Sequence, residues 1–388
     1  MSPAFYHGEL FRRGSGADCK SVAFGFGWFD SITPHLLFIQ ILGGNLRMAR
    51  KTKMNNITTP ELLSQVSTEN KELLSDFLDY LRSVQRSEAT IAGYENDIQI
   101  AWIWNLLYNN NIPYVNWTKR QVVRYQNWLL NENGNSPARI KRLKASLSSL
   151  ANYIENVLDE DYPNFRNIIN KVESPVNQPV REKTVFTEEQ INTLLDNLTI
   201  KKHYDKACAV ALALYSGRRK SEILRFKVDD FSDDKLVCGG SLYKTGKIKT
   251  KGRGVNGKQL ECFCLAKQFK PYLQKWLDYR EEHGICSKWL FPSKQDPDIH
   301  MGISTMNSWA ITFSNILGVD FYWHAMRHMT VTMFIRAGIP DTVIQQYIGW
   351  SDISMVPVYS DIQADEQLAM YFNEDGISKP EQKSLSDI

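Results

Sequence analysis

The sequence predicts a mainly α-helical chain with a small β-sheet, built as a helical first region and a mixed α+β second region. Three observations predict it. Apolar residues recur at three- and four-residue intervals through residues 69–172, the pattern of helices that each bury one stripe. A polar stretch at 173–184 carries Pro175 and Pro179 without any apolar period, and reads as an extended linker between domains. In the second region, 185–375, helical patterns flank a strand-rich middle at roughly 236–265, and residues 376–388 read as a tail.

Leu73, Leu74, Phe77, Leu78 and Leu81 form the first stripe. Ser87-Glu88-Ala89-Thr90 precedes a second helix through Tyr94, Ile98 and Trp102, and Trp117-Thr118 leads into a third with Val122, Tyr125, Gln126 and Leu129. Residues 136–153 form a fourth, with Arg139, Lys141, Arg142 and Lys144 near its N-terminal half. Such a basic cluster suits DNA phosphates, and it suits a solvated helix face equally well. Thr187-Glu188-Glu189-Gln190 is a capping box that opens a helix through Ile191, Leu194 and Leu195. A buried helix follows over 207–215. Residues 259–265 alternate as one strand, which places Cys262 and Cys264 in a strand rather than a metal site. Leu368, Ala369 and Phe372 stand at helical spacing and predict a last helix over 364–372.

Bulk properties narrow the class. A chain of 388 residues has room for two or three domains. Its 43% hydrophobic and 23% charged residues are ordinary for a globular protein, and a net charge of +3 does not by itself point to nucleic acid. The six cysteines include no Cys-x-x-Cys pair, so reduced thiols and an intracellular, cytoplasmic protein are expected. The longest apolar stretch, around 36–42, is too short to span a bilayer, so no membrane partner is expected.

Residues 1–68 read as a leader. The first 47 are rich in Gly and aromatics (Phe24-Gly25-Phe26-Gly27-Trp28-Phe29) with no sustained period. Two readings stay open: a disordered tail, or upstream DNA translated in frame. Trp28-Phe29-Asp30-Ser31 can be encoded by TGG TTC GAC TCC, which resembles the T-arm of a tRNA gene. On that reading translation starts at Met48 or Met54.

Chemistry concentrates in three motifs. Arg219 and Glu222, in Gly217-Arg218-Arg219-Lys220-Ser221-Glu222, are three apart and share a helix face. A carboxylate there can fix the guanidinium fork for bidentate phosphate contact. His324, Arg327 and His328, in His324-Ala325-Met326-Arg327-His328, also share one face. Two histidines at this spacing can bind metal, but the cation beside them opposes it, so no metal is expected. Tyr347-Ile348-Gly349-Trp350 and Val358-Tyr359-Ser360 complete the set, with Tyr359 nine residues after Trp350.

Taken singly, these residues are ordinary surface pairs or core aromatics. Their joint order and spacing resembles the tyrosine recombinase, or phage integrase, family. The resemblance runs over about residues 69–372, with specific motifs only in the second half. It implies a SAM-like helical core-binding domain followed by a tyrosine recombinase catalytic domain. It also implies a site-specific DNA recombinase that cuts and rejoins DNA through a 3′-phosphotyrosine at Tyr359, without metal, ATP or other cofactor.

The same resemblance implies roles for the residues. Arg219 and Arg327 bracket the non-bridging phosphate oxygens. His324 acts on the Tyr359 proton or contacts the phosphate, with Glu222 and His328 in support. Trp350 stands where relatives often carry His; its indole N–H can donate but cannot exchange protons. A tyrosine hydroxyl ionises only near ~10, so it needs assistance from the site. Of the lysines in the Lys244 to Arg253 stretch, the resemblance favours Lys251 as general acid for the 5′ oxygen, with Lys249 as runner-up; Lys244, Lys249 and Arg253 otherwise suit DNA contact. Double-stranded DNA, a homotetramer on two duplexes, and accessory DNA-bending or directionality factors are implied as partners, in the cytoplasm of a prokaryotic cell. Rival readings are a type IB topoisomerase-like nicking-resealing enzyme, a non-catalytic DNA-binding protein of this fold, and a helical protein without a DNA role.

Overall fold

The computed structural model describes residues 57–176, 184–250, 257–373 and 376–377. Among these residues the fold is mainly helical, with short strands found in the second half.

In the first half, α1 (Pro60–Ser64) starts on Thr59, whose hydroxyl accepts from the Leu62 N–H, with Pro60 at the first helical position. Then come α2 (Thr68–Ser83), α3 (Glu88–Tyr108), α4 (Lys119–Asn127) and α5 (Pro137–Val157). A single π-helical turn, Trp128–Glu132, extends α4. Ser87 and Ser136 cap α3 and α5 through their hydroxyls, and Thr118 with Gln121 closes a capping box on α4. The stripe Leu73, Leu74, Phe77, Leu78 and Leu81 is buried as its spacing predicts.

An aromatic cluster fills the centre of this half. Trp102 meets Tyr114 at a tilt and Trp117 edge-to-face, and Trp104 meets Trp117 edge-to-face and Tyr125 at a tilt. Each such ring removes about 150–250 Å² from water, worth at most roughly 4–6 kcal/mol at about 25 cal/mol per Å². Buried Asn70 ties the loop ahead of α4 to α2, donating to the Ile112 carbonyl and accepting from the Tyr114 N–H.

Two expectations are corrected here. Ordered structure begins before residue 69: Val66 is buried, and Ile57, Leu62 and Leu63 pack on the core. Lys144 is no phosphate contact. It is only 4% exposed, and its ammonium donates to Gln126 Oε1 and to the Val172 and Glu173 carbonyls. It fastens α5 to the start of the connecting segment, of which 173–176 carry no helix or strand and 177–183 lie outside the described residues.

The second half has its own core. Thr187 and Gln190 form the predicted capping box on α6 (Glu188–Ile200). Helix α7 (Tyr204–Ser216) is buried almost throughout, at the centre of this half. After α8 (Lys220–Ile223) come β1 (Leu236–Val237), β2 (Leu242–Lys244), β3 (Ile248–Thr250), β4 (Lys258–Leu260) and β5 (Phe263–Leu265). They form two antiparallel sheets, β1-β2-β5 and β3-β4. Helices α9 (Ala266–Glu282), α10 (Ile303–Leu317), α11 (Trp323–Arg336), α12 (Asp341–Ile348), α13 (Met355–Tyr359) and α14 (Ala364–Ala369) follow.

The predicted strand over 259–265 is broken. Cys262 turns inward to meet Thr245, whose N–H donates to the Cys262 carbonyl and whose hydroxyl accepts from the Cys262 N–H. The chain thereby passes from one sheet to the other. At the C-terminus the last helix stops at Ala369. Phe372 lies instead in β6 (Phe372–Asn373), which pairs with β7 (Gly376–Ile377), so the boundary expected after residue 375 cuts a hairpin. No helix among the described residues is long and apolar enough to cross a membrane.

Candidate active site

The site is assembled by two helices that each end on a left-handed glycine. Helix α7 ends at Gly217, with φ +61°, and α12 ends at Gly349, with φ +71°. A left-handed C-terminal cap lets the chain turn sharply off the helix, and glycine adopts it without steric cost. The first turn delivers Arg219 and the second Trp350. The two turns press together: a Cβ on Gly217 would lie 2.4 Å from Ile348 Cδ1.

Arg219 caps α8, and Glu222 holds it in place. The Arg219 N–H donates to Glu222 Oε2 at 3.1 Å, and its Nη1 to Oε1 at 3.0 Å. The carboxylate is buried while the Arg219 side chain stays 36% exposed, so the guanidinium is anchored on one side and open on the other.

Helix α11 supplies His324, Arg327 and His328. Arg327 is 1% exposed and donates from Nη1 to the Gly217 carbonyl at 2.9 Å. Its Nε and Nη2 have no hydrogen-bond partner among the described residues. Burial, then the neighbouring Arg219 and Arg218 guanidiniums, push its pKa down to about 9. The guanidinium carbon lies 4.9 Å from the Trp350 ring centre and 5.4 Å from that of Tyr359, within cation–π range of both.

Tyr359, at the end of α13, is buried inside this ring of groups. Its ring lies 4.9 Å from Trp350, 5.1 Å from His324 and 4.6 Å from His328, the last stacked. His328 Nδ1 donates to the Tyr359 carbonyl at 3.2 Å and approaches Asp361 Oδ1 at 3.6 Å. That contact sets the proton on Nδ1 and fixes the ring against the phenol. His324 lies on the exposed side of the same helix.

One pocket of one chain therefore gathers Arg219, Glu222, His324, Arg327, His328, Trp350 and Tyr359. Lys251 and Arg253 lie outside the described residues. Lys249 sits on β3 with its side chain exposed. That strand packs beside α8, and Arg225 Nη1 holds the Lys249 carbonyl at 2.6 Å. Lys244, on β2, pairs with Glu261 at 3.0 Å. On α5, Lys141 is exposed. Arg139 and Arg142 both meet the buried Asp97 carboxylate, at 2.8 and 3.1 Å. Gly93, one turn before Asp97, leaves room for the Arg142 guanidinium to lie across α3. Among the described residues no group of three or more His, Cys, Asp or Glu side chains is placed to hold a metal ion.

Sequence reasoning missed Arg218, Asp97 and Asp361. Arg218 looks like the surface half of a double arginine, yet it is the fully buried one. Asp97 carried the one available signal, an acid on the face that α3 turns towards the basic α5.

Residues 184–366 match the phage integrase family. The chain is 26% identical over 333 residues to the SPbeta prophage-derived recombinase-like protein YomM of Bacillus subtilis strain 168, covering 83% of this chain and 96% of that one. It is 25% identical to tyrosine recombinase XerC of Caldanaerobacter subterraneus subsp. tengcongensis, covering 79% and 87%. Among solved structures, the XerH site-specific recombinase bound to palindromic difH substrate aligns with a TM-score of 0.58, at 16% identity over 83% of this chain and 89% of that one. A lambda integrase dimer bound to a COC′ core site aligns with a TM-score of 0.54, at 15% identity over 76% and 96%. Motif spacing, site and relatives agree: residues 184–366 form a domain of the phage integrase family, and over most of its length the chain resembles tyrosine recombinases.

Proposed function

We propose that this chain is a site-specific DNA recombinase whose nucleophile is Tyr359, acting on a phosphate held by Arg219 and Arg327 of the same subunit. The observation that carries the reading is the packing of the Tyr359 ring against the buried Arg327, beside N–H donors of Arg327 and Trp350 that have no hydrogen-bond partner among the described residues.

The chemistry follows from these groups. The Tyr359 Oη attacks the scissile phosphorus; the new Oη–P bond forms as the P–O5′ bond breaks. Arg219 and Arg327 bind the non-bridging oxygens and stabilise the charge that grows on them, and the Trp350 Nε1–H adds a third donor. Arg327 stands ready for this role. Burial and two neighbouring cations disfavour its own charge, and an anion relieves exactly that penalty on arrival.

His324, on the open side of Tyr359, takes the phenol proton. His328, stacked on the phenol and bonded to its carbonyl, keeps the ring in line. The 5′ oxygen leaves with a proton from the hairpin lysine, Lys251, or Lys249 as the alternative. Rejoining reverses each step: a 5′-hydroxyl attacks the phosphotyrosine, and Tyr359 recovers its proton. Because the phosphotyrosine retains the ester bond, the exchange draws on no ATP.

Residues 57–172 serve in this reading as a core-binding domain on duplex DNA, with Arg139, Lys141 and Arg142 on the phosphates. Residues 185–377 serve as the catalytic domain. Four chains working on two duplexes, with accessory bending or directionality factors, complete the assembly, in the cytoplasm of a prokaryotic cell. The named relatives fit this reading: XerH and lambda integrase were each solved bound to a DNA site.

Incubating the chain with two matched duplexes tests it. Recombinant products from separate duplexes are expected, and supercoil relaxation without any exchange between duplexes would favour the topoisomerase-like alternative.

A further inference from the structure

Arg218 is given no contact with the reacting groups in the chemistry above, yet it is 1% exposed and lies beside the groups that have one. Its Nη2 donates to the Tyr347 carbonyl. Its Nη1 would be 3.6 Å from a Cβ on Gly349. The opposite side of the contact is laced in return, because the Tyr347 hydroxyl donates to the Tyr215 carbonyl. Two long-range bonds therefore cross between the turn 215–218, which delivers Arg219, and the turn 347–349, which delivers Trp350. Arg327 joins the same seam through the Gly217 carbonyl.

A buried guanidinium is costly to desolvate, and an apolar side chain of similar volume commonly serves packing as well or better. What Arg218 supplies that an apolar residue cannot is a directed bond to one carbonyl of the facing turn. We propose that Arg218 is a positioning residue for strand cleavage: with Tyr347 it sets the separation of Arg219 and Trp350, and so the fit of both to one phosphate. Its charge also adds to the positive field felt by Arg327, but the positioning rests on the two crossed bonds.

This inference rests on the phosphotyrosine reading, and the test separates the two. Arg218→Lys, Arg218→Gln and Tyr347→Phe are compared with wild type on a nicked duplex carrying a binding site selected from a random-sequence library. Affinity and single-turnover formation of the covalent adduct are measured separately. Arg218→Lys, which can still donate to the Tyr347 carbonyl, is expected to cleave within about 3-fold of wild type. Arg218→Gln and Tyr347→Phe are expected to cleave about 10- to 100-fold more slowly, the scale of a misplacement near 1 Å, with affinity unchanged. A merely structural role would move affinity, thermal midpoint and cleavage together and would give lysine no special standing.

Wild-type cleavage by Arg218→Gln and Tyr347→Phe overturns the proposal, as does a loss of cleavage that only follows lost binding. Should Arg218→Gln not fold, Tyr347→Phe decides by the same criterion. A wild-type chain that forms no adduct at all removes the phosphotyrosine reading instead.

Discussion

The guanidinium carbon of Arg327 lies over the indole of Trp350, 4.9 Å from its ring centre. Both residues keep N–H groups without a hydrogen-bond partner among the described residues, so this pair offers several donors in one small volume.

The first prediction concerns which property of Trp350 matters. Trp350→Phe keeps a ring under Arg327 and removes the donor, whereas Trp350→His keeps a donor. Strand cleavage is expected to fall about 10- to 100-fold in the phenylalanine variant, the order found for losing one transition-state donor, and to stay within about 5-fold of wild type in the histidine variant. Equal rates in the two variants would mean that only ring packing counts.

A second prediction follows from the charge of Arg327. Its pKa is pushed down to about 9, chiefly through burial and then through Arg219 and Arg218. Between that value and the higher one of an unfolded arginine, the unfolded chain binds more protons than the folded one, so this group's contribution to stability rises with pH across the window and is flat below it. An anion in the pocket pairs with the protonated form. Inorganic sulfate is therefore expected to raise Tm near neutral pH and progressively less as pH passes about 9. The pH-dependent part of that increment should vanish in Arg327→Gln; a sulfate effect indifferent to pH in the wild-type chain would contradict the assignment.

Glycine substitutions separate two kinds of left-handed turn. Gly217→Ala combines a positive φ with a Cβ 2.4 Å from Ile348 Cδ1, and should cost about 2–5 kcal/mol. Gly318→Ala, at φ +69° with open space around it, should cost only about 1–2 kcal/mol. Chemical denaturation of the two variants measures the difference, and equal costs would show that α12 does not press on the Gly217 turn.

Two lysines three residues apart on α5 should behave oppositely. Lys141→Ala is expected to lower the magnitude of the slope of log K against log salt for DNA by about 1. Lys144→Met is expected to leave that slope alone and lower Tm, because the Gln126, Val172 and Glu173 acceptors lose their donor. Competition titrations at several salt concentrations decide.

Much of this was legible in the sequence, for reasons that differ by residue. Each helix of the first half is set by its own apolar stripe and cap, both local features. Arg219, His324, Arg327, Trp350 and Tyr359 were legible only jointly, because their order and spacing resemble those of the tyrosine recombinase family; taken singly, none of them stands out. Lys144 was misread although its position could have warned of it: it stands four residues after Ile140 and three before Leu147, inside the buried stripe. Arg218 gave no such warning, since which arginine of a pair turns inward depends on the left-handed turn at Gly217. The break at Cys262 depends on Thr245, seventeen residues away, and alternation alone carries no trace of it.

The most direct measurement is to trap the covalent complex on a nicked duplex, digest it with protease and locate the DNA-linked peptide by mass spectrometry. The account predicts a single adduct in which a 3′-phosphate is esterified to the Tyr359 oxygen, and none from Tyr359→Phe. An adduct on any other side chain, or one that survives in Tyr359→Phe, would contradict it.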